Sequence, residues 1–185
     1  MVKCCLPISW FKFVLGWLLC FSVRLVSRAL PVPPNIEPVM TVTMPFSKRY
    51  GCCGGFLFGF LSIALLDVAV GSVGTWTAVT AVTYGLIGAA GYRFLQGKRS
   101  ALQYGLYALG ATLFYDAVTG VIAGPLLFGQ SFVEAFVGQI PFTVNHVVGN
   151  VLLGVAVSPL LERWIVDNWR LDWNVVYARM RRIFT

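Results

Sequence analysis

The stretch IEPVMTVTMPFSKR, residues 36–49, decides how many membrane crossings this sequence predicts. Its apolar part, residues 36–46, would be only about 16 Å long as a helix, roughly half of a 30 Å hydrocarbon core. Length therefore leaves open whether this segment crosses. The two basic residues that follow it, Lys48 and Arg49, bear on the question more directly, because basic residues mark the cytoplasmic side.

The composition of the whole chain is typical of a membrane protein. Hydrophobic residues make up 58% of its 185 positions and charged residues 11%, a balance that water-soluble domains rarely show. The net charge of +7 is divided into short clusters between apolar segments, which indicates membrane topology rather than nucleic-acid binding. Longer apolar segments that could form spans cover residues 13–30, 51–66, 75–94, 104–122 and 140–161.

Basic and non-basic loops alternate along the chain. Basic residues occur at positions 3 and 12, 48 and 49, 93 to 99, and 163 to 182, whereas residues 31–35, 67–74 and 123–139 contain none. This alternation requires residues 36–46 to cross. The sequence therefore predicts an all-α, polytopic fold, with a six-helix transmembrane bundle in residues 1–165 and both termini in the cytoplasm. The tail, residues 166–185, combines tryptophans with arginines and is predicted to rest on the inner leaflet.

Patterns for catalysis and metal binding are missing from the sequence. The five cysteines have no metal-ligand spacing and are interpreted as small apolar residues. His146 is the only histidine and accompanies no nucleophile arrangement. No glycine-rich loop leads into a Lys-Ser or Lys-Thr pair, so we expect no ATP hydrolysis by this chain. We predict no enzyme activity, no cofactor and no metal.

Polar residues of the spans collect in the half that the topology places outside. Such residues either join helices through hydrogen bonds or line a ligand cavity, and both readings stay open. The spacing places each set of candidates on one helix face. The candidates for ligand binding are Glu37, Trp76, Thr80, Tyr84, Asp116, Gln139, His146 and Asn150.

Two arginines in the first span depart from the positive-inside pattern. Arg24 and Arg28 are one turn apart and share a face with Gly16 and Cys20. Pairing with Glu37 or Asp116 and binding of ligand carboxylates are both compatible with this position. The spacing Gly16-x-x-x-Cys20 would also let another helix approach closely.

Four motifs, in order, carry a resemblance to a known family. They are the loop PPNIEP at residues 33–38, KRYGxxxGFLFGFLS at 48–62, GxWT at 74–77 followed by YGLIG at 84–88, and IPFxxxHxxGN at 140–150. Over most of residues 30–160 the chain resembles the substrate-binding S components of energy-coupling factor (ECF) vitamin transporters.

That resemblance implies an outward-facing ligand pocket inside six helices. It implies a lid from residues 33–38 and 67–75, which would bring Asn35 and Glu37 to the ligand. Gly16 and Cys20 would face a transmembrane coupling subunit, which in turn joins two ATPase subunits in the plasma membrane of a prokaryote. The implied function is high-affinity binding and uptake of a vitamin or related micronutrient. The alternative is a structural membrane protein that recruits partners without transport.

The topology yields a first test. Reporter domains fused after Lys48 and after Lys98 should both be active only as cytoplasmic reporters, because both positions follow predicted cytoplasmic basic clusters. An external location of either reporter would contradict the six-span arrangement.

Overall fold

The computed structural model describes residues 7–29, 38–97 and 100–184, and these residues form helices with no strand. The all-helical class is thus confirmed for the described part of the chain. Eight α-helices follow one another in these described ranges. They are α1 (Trp10–Ala29), α2 (Pro38–Val70), α3 (Thr75–Leu95), α4 (Ala101–Asp116), α5 (Gly124–Phe128), α6 (Phe132–Ala156), α7 (Ser158–Leu161) and α8 (Trp173–Phe184). A π-helical turn at Ala117–Ala123 connects α4 to α5. A second one at Glu162–Val166 continues α7.

Within the described residues, three continuous helical stretches are long and apolar enough to cross a membrane. They are Pro38–Val70, Ala101–Phe128 and Phe132–Val166, of 33, 28 and 35 residues. Large apolar side chains on these helices are exposed, among them Leu106, Leu113 and Val148. Buried positions include polar side chains such as Asp116 and His146. This inverted distribution is the one that a lipid environment favours.

The helix α2 is broken at Gly51. Its φ of 82° lies in the left-handed region that glycine adopts without steric cost, so residues 38–50 and 52–70 form two arms. Every residue from 38 to 47 is buried, so the short arm lies inside the protein. Pro45 in this arm has no N–H for the carbonyl of Thr41, four residues earlier. The hydroxyl of Ser158 donates to that carbonyl instead, at 2.8 Å, and thereby fixes α7 to the short arm.

The second arm of α2 and the helix α3 pack backbone against backbone. A Cβ placed at Gly55 would overlap the carbonyl oxygen of Gly88, and one at Gly88 would overlap that of Gly55. Gly59 is equally close to the carbonyl of Tyr84. The spacing Gly55-x-x-x-Gly59 is the small-residue pattern that lets membrane helices approach closely. This contact therefore fixes the position of Tyr84 relative to the second arm of α2.

Aromatic rings join α1 to both arms of α2. Phe13 is fully buried, and its ring lies 5.2 Å from the rings of Phe46 and Phe58, which stack on each other at 4.3 Å. Gly16 lies against the same two rings, and Cys20 belongs to the same buried cluster. The face of α1 that carries Gly16 and Cys20 is thus covered by the chain's own core.

Charged residues gather at the end of the bundle where α1 and the second arm of α2 begin. Lys48 Nζ lies 2.8 Å from Glu162 Oε1, and the hydroxyl of Tyr104 lies 3.1 Å from Glu162 Oε2. Lys12 contacts Asp172 at 2.7 Å and donates to the carbonyl of Val166 at 2.9 Å. These contacts tie the segment after α7 to the start of the chain's helical core.

Two of the cysteines depart from the sequence-based interpretation. Cys52 and Cys53 are disulfide-bonded, so reading all five cysteines as small apolar residues is wrong for these two. Cys20 is a buried free thiol and behaves as that interpretation predicted.

The close approach of α2 and α3 predicts a sharp difference between two glycines. Gly88→Ala should lower the free energy of unfolding by about 1–3 kcal/mol, because the added methyl forces the backbones apart. Gly110→Ala in α4 meets open space and should leave stability unchanged or raise it by up to about 1 kcal/mol through helix propensity. Thermal unfolding of both variants in detergent measures the difference, and equal stability of the two would contradict this packing.

Candidate functional site

A buried pair between α4 and α6 forms the centre of the candidate site. His146 Nδ1 lies 2.8 Å from Asp116 Oδ1, and the two side chains are 1% and 2% exposed. An ionised carboxylate can only accept hydrogen bonds, so with Asp116 ionised Nδ1 carries the proton. Asp116 ends α4 directly before the π-helical turn Ala117–Ala123, and such turns are frequent at functional sites.

A second polar contact lies one turn further along the same two helices. Asn150 Nδ2 donates to Thr112 Oγ1 at 3.0 Å, and both side chains are fully buried. The rings of Tyr115 and Phe142 meet the imidazole of His146 edge-on, with centroids 5.6 and 5.4 Å away. Packing and hydrogen bonding together therefore fix the orientation of the imidazole.

Three buried polar atoms of this cluster have no hydrogen-bond partner within the described part of the chain. They are Asp116 Oδ2, His146 Nε2 and Asn150 Oδ1. Each such atom costs about 1–3 kcal/mol when it is left unsatisfied. Native proteins contain few such groups, and three on adjacent residues need a common explanation. A polar ligand that contacts all three would provide it.

A polar cavity of about 480 Å³, within the size range of small-molecule sites, lies at the end of α4 and the start of α6, one to two helical turns from the cluster. Thr119, one turn after Asp116, belongs to its wall. Gln139 also lines it and donates to Thr143, one turn before His146, at 3.4 Å. The remaining wall residues are Trp76, Gly120, Gly124, Phe128, Gln130, Glu134, Ala135 and Gly138.

Glycines of the connection from α4 to α5 make room for amide side chains in this cavity. A Cβ at Gly120 would overlap the side-chain oxygen of Gln139, and one at Gly124 would lie 2.8 Å from that of Gln130. Both glutamines therefore lie close against the backbone of this connection. Glu134 is held by a capping box, in which it and Ser131 exchange hydrogen bonds of 3.2 Å at the start of α6.

A larger cavity of about 750 Å³ lies between α3 and α4, but its character is different. Apart from Gln103 and Tyr107 its lining is apolar, including Leu86, Phe94 and Leu106. Tyr107 donates its hydroxyl to the carbonyl of Ile87, and Gln103 donates to that of Phe94 at 2.6 Å. This groove opens among exposed apolar side chains and brings no set of uncommitted polar groups together.

The predicted ligand residues fall into separate groups. Asp116, His146 and Asn150 meet in the buried cluster, whereas Gln139 and the partly exposed Trp76 line the cavity. Thr80 donates to carbonyls of its own helix and does not reach the cluster. The ring of Tyr84 packs at 4.8 Å on that of Tyr115, which contacts His146 in turn. Asn35 and Glu37 lie outside the described residues.

The structure excludes one of the two acidic partners predicted for the arginines of the first span. Asp116 Oδ1 contacts His146 and Oδ2 has no hydrogen-bond partner, so Asp116 is not the partner of Arg24. Arg24 is half-buried and makes other contacts. The side chain of Arg28 and the acid Glu37 are outside the described part.

Several residues of the site were not among the sequence-based candidates. Thr112 and Thr119 resemble the many threonines that bond to their own helix, and only their position opposite α6 distinguishes them. Glu134 could have been placed from the Ser131-x-x-Glu134 capping box, which marks the start of a helix at residue 132 rather than 140. That earlier start is what brings Gln130 and Glu134 beside the end of α4.

Comparison of the chain with protein-family models, curated proteins and solved structures found no match. Function is therefore argued from the site itself.

The buried pair predicts strong energetic coupling. In a double-mutant cycle, Asp116→Asn and His146→Gln should be non-additive by about 1–3 kcal/mol, because each removes a partner from a desolvated group. The matched control is the ion pair Arg49–Asp167 at 4.0 Å, whose arginine is largely exposed and whose coupling should be below about 1 kcal/mol. Unfolding in detergent measures both cycles. Additive effects at the buried pair would show that the contact does not form.

Proposed function

We propose that this chain binds a small polar organic molecule and serves as the substrate-binding subunit of an ECF-type transporter for a vitamin or related micronutrient. The observation that carries the proposal is the cluster of Asp116, His146 and Asn150, three buried side chains that each retain an unpartnered polar atom. A polar cavity begins one turn after Asp116 and two turns before His146, at Thr119 and Gln139. Perturbed or unsatisfied polar groups that converge near a cavity are the usual mark of a binding site.

The proposal includes six crossings of the membrane. These are residues 10–29, 38–50, 52–70, 75–95, 101–128 and 132–166, the helical segments of the described chain. The arm 38–50 is shorter than a hydrocarbon core, about 20 Å at 1.5 Å per residue. Its burial supports the crossing, because backbone at membrane depth is tolerated when protein surrounds it. In this arrangement the cavity opens outward and the ion pairs of Lys12 and Lys48 lie at the inner end.

The helix α8 would rest on the cytoplasmic leaflet. Its apolar side chains Trp173, Tyr177, Met180 and Ile183 are exposed. Arg182 lies on the face opposite Trp173, and Arg179 and Arg181 flank the apolar side chains, a pattern typical of interfacial helices on anionic lipid. The ion pair Lys12–Asp172, directly before α8, would hold this helix at a fixed height against the bundle.

Uptake would require partners. The resemblance to ECF S components supplies the proposed partners, a transmembrane coupling subunit and two ATPase subunits. Because Gly16 and Cys20 are buried, we propose that the exposed apolar face of α1, with Trp10, Val14 and Leu18, is the part of this helix that meets the coupling subunit.

The orientation has one sharp check. Disulfides persist mainly in oxidising compartments, and the proposed orientation places Cys52 and Cys53 near the cytoplasmic side. Because the cytoplasm keeps thiols reduced, this orientation predicts that the disulfide bonds of Cys52 and Cys53 seen in the structure are opened in the growing cell. The reporter fusion after Lys48 therefore also reports on which side these cysteines lie.

The groove between α3 and α4 favours a second candidate function, a structural protein that recruits a membrane partner. An apolar groove of about 750 Å³ could accept a partner helix or lipid chain without any ligand in the polar cavity. This candidate predicts that substitutions in the polar cluster leave the protein's activity in the cell unchanged.

Ligand binding is tested on the purified protein. We expect mass spectrometry to detect a co-purified small molecule, or members of a vitamin panel to raise the melting temperature. His146→Ala should lower affinity for that molecule about 5- to 100-fold, the effect of losing one hydrogen bond from a buried site.

Two further variants keep this test interpretable. Val148 lies on the same helix with its side chain exposed, so the Val148→Ala variant should bind the molecule as tightly as the unsubstituted protein does. His146→Gln retains polarity if the alanine variant fails to fold. Consistent absence of a bound molecule, with no thermal shift across the panel, would contradict the proposed function.

A further inference from the structure

With Asp116 ionised and His146 neutral, the three unpartnered atoms of the polar cluster are acceptors. Asp116 Oδ2 and Asn150 Oδ1 can only accept hydrogen bonds, since one belongs to a carboxylate and the other is the oxygen of an amide whose nitrogen donates to Thr112. With the Nδ1 proton of His146 directed at Asp116, the neutral imidazole also presents a lone pair at Nε2. The cluster therefore offers hydrogen-bond acceptors to whatever enters it.

The net charge of the cluster is zero or negative. With a neutral imidazole, the pair carries one negative charge when Asp116 is ionised and none when it is protonated. An imidazolium beside a carboxylate is an ion pair without net charge, and its Nε2 then donates rather than accepts. Thr112, Tyr115 and Phe142, which contact the cluster from α4 and α6, contribute no charge. Where Asp116 is ionised, a second anion would approach a desolvated carboxylate, which is strongly unfavourable at low dielectric.

The wall of the adjacent cavity has the same character. Its charged member is Glu134, and its other polar groups are the amides of Gln130 and Gln139, the hydroxyl of Thr119 and the indole of Trp76. No lysine or arginine belongs to the wall in the described part of the chain. An anionic ligand would find no counter-charge there.

The described ion pairs of the lysines lie at the other end of α4. Tyr104 near the start of this helix contacts Glu162 and Lys48, whereas Thr119 lines the cavity beyond its end. The fifteen residues between correspond to about 22 Å of helix. These lysines are committed to acids at that end and do not reach the cavity.

We infer that the site selects an uncharged or cationic ligand rich in N–H or O–H donors and discriminates against carboxylates and phosphates. This inference rests on the proposed function and narrows its ligand class. Donors on the ligand would satisfy Asp116 Oδ2, His146 Nε2 and Asn150 Oδ1 together. The aromatic rings of Tyr115 and Phe142 at His146, and that of Trp76 in the cavity wall, suit a ligand with a planar ring.

Matched probe pairs test the inference on the full-length protein in detergent. Each pair differs by an anionic group: nicotinamide and nicotinate, thiamine and thiamine monophosphate, pyridoxamine and its 5′-phosphate, riboflavin and flavin mononucleotide. In every pair that binds, we expect the uncharged or cationic member to bind at least about tenfold more tightly, as measured by calorimetry or equilibrium dialysis.

Two acid-to-amide substitutions separate a role of Asp116 in selectivity from a role in folding. Asp116→Asn keeps the shape and removes the charge, so it should reduce the preference over the anionic member by about tenfold or more. Glu162→Gln makes the same change at the lysine end and should leave the preference unchanged. Glu134→Gln removes the charge of an exposed wall residue and, like Asp116→Asn, should reduce the preference over the anionic member. It replaces Asp116→Asn in this test if that variant does not fold.

The possible outcomes are distinct. Tighter binding of the uncharged or cationic members, lost in Asp116→Asn and kept in Glu162→Gln, supports the inference. Equal or tighter binding of the anionic members overturns the ligand class while the proposed binding function stands. If no probe binds and no small molecule co-purifies, the proposed function fails and the inference fails with it.

Discussion

Hydrocarbon offers a polar group no hydrogen-bond partner, and this constraint governs how the side chains are arranged. Apolar side chains such as Leu106, Leu113 and Val148 are exposed, while Asp116, His146 and Asn150 are turned inward. The contacts His146–Asp116 and Asn150–Thr112 satisfy part of this buried polarity and join α4 to α6. These contacts leave three polar atoms without a hydrogen-bond partner, within one to two helical turns of the polar cavity, and we propose that a ligand completes them.

The two ends of the bundle have different tasks. At one end, Lys12 and Lys48 pair with acids of the segment after α7, which fixes the chain's last helices to its first. At the other end, Gly120 and Gly124 have no side chains, and glutamine side chains therefore lie against the connection from α4 to α5. The separation keeps positive charge away from the cavity. The clustering of basic residues that predicts the topology therefore also bears on the chemistry of the site.

Much of this arrangement follows from the sequence, and the reasons for the exceptions are physical. Composition predicts the helical membrane class, and the four-residue spacing of His146 and Asn150 predicts their shared face. The direct contact of His146 with Asp116 could not be read from spacing, because it depends on how α6 is placed against α4. The burial of Gly16 and Cys20 likewise depends on the aromatic rings of α2, which small-residue spacing does not reveal. Apolar length alone predicts a last span from residue 140, whereas the capping box at Ser131 begins α6 at Phe132.

The central claim is that Asp116, His146 and Asn150 bind a small molecule. An experimental structure of the protein purified without added ligand, by crystallography or by cryo-electron microscopy with a bound antibody fragment, tests it most directly. We expect non-protein density within hydrogen-bond distance of Asp116 Oδ2, His146 Nε2 and Asn150 Oδ1, continuous with the cavity beside Gln139. Side chains of the protein itself filling that space and satisfying all three atoms would contradict the claim.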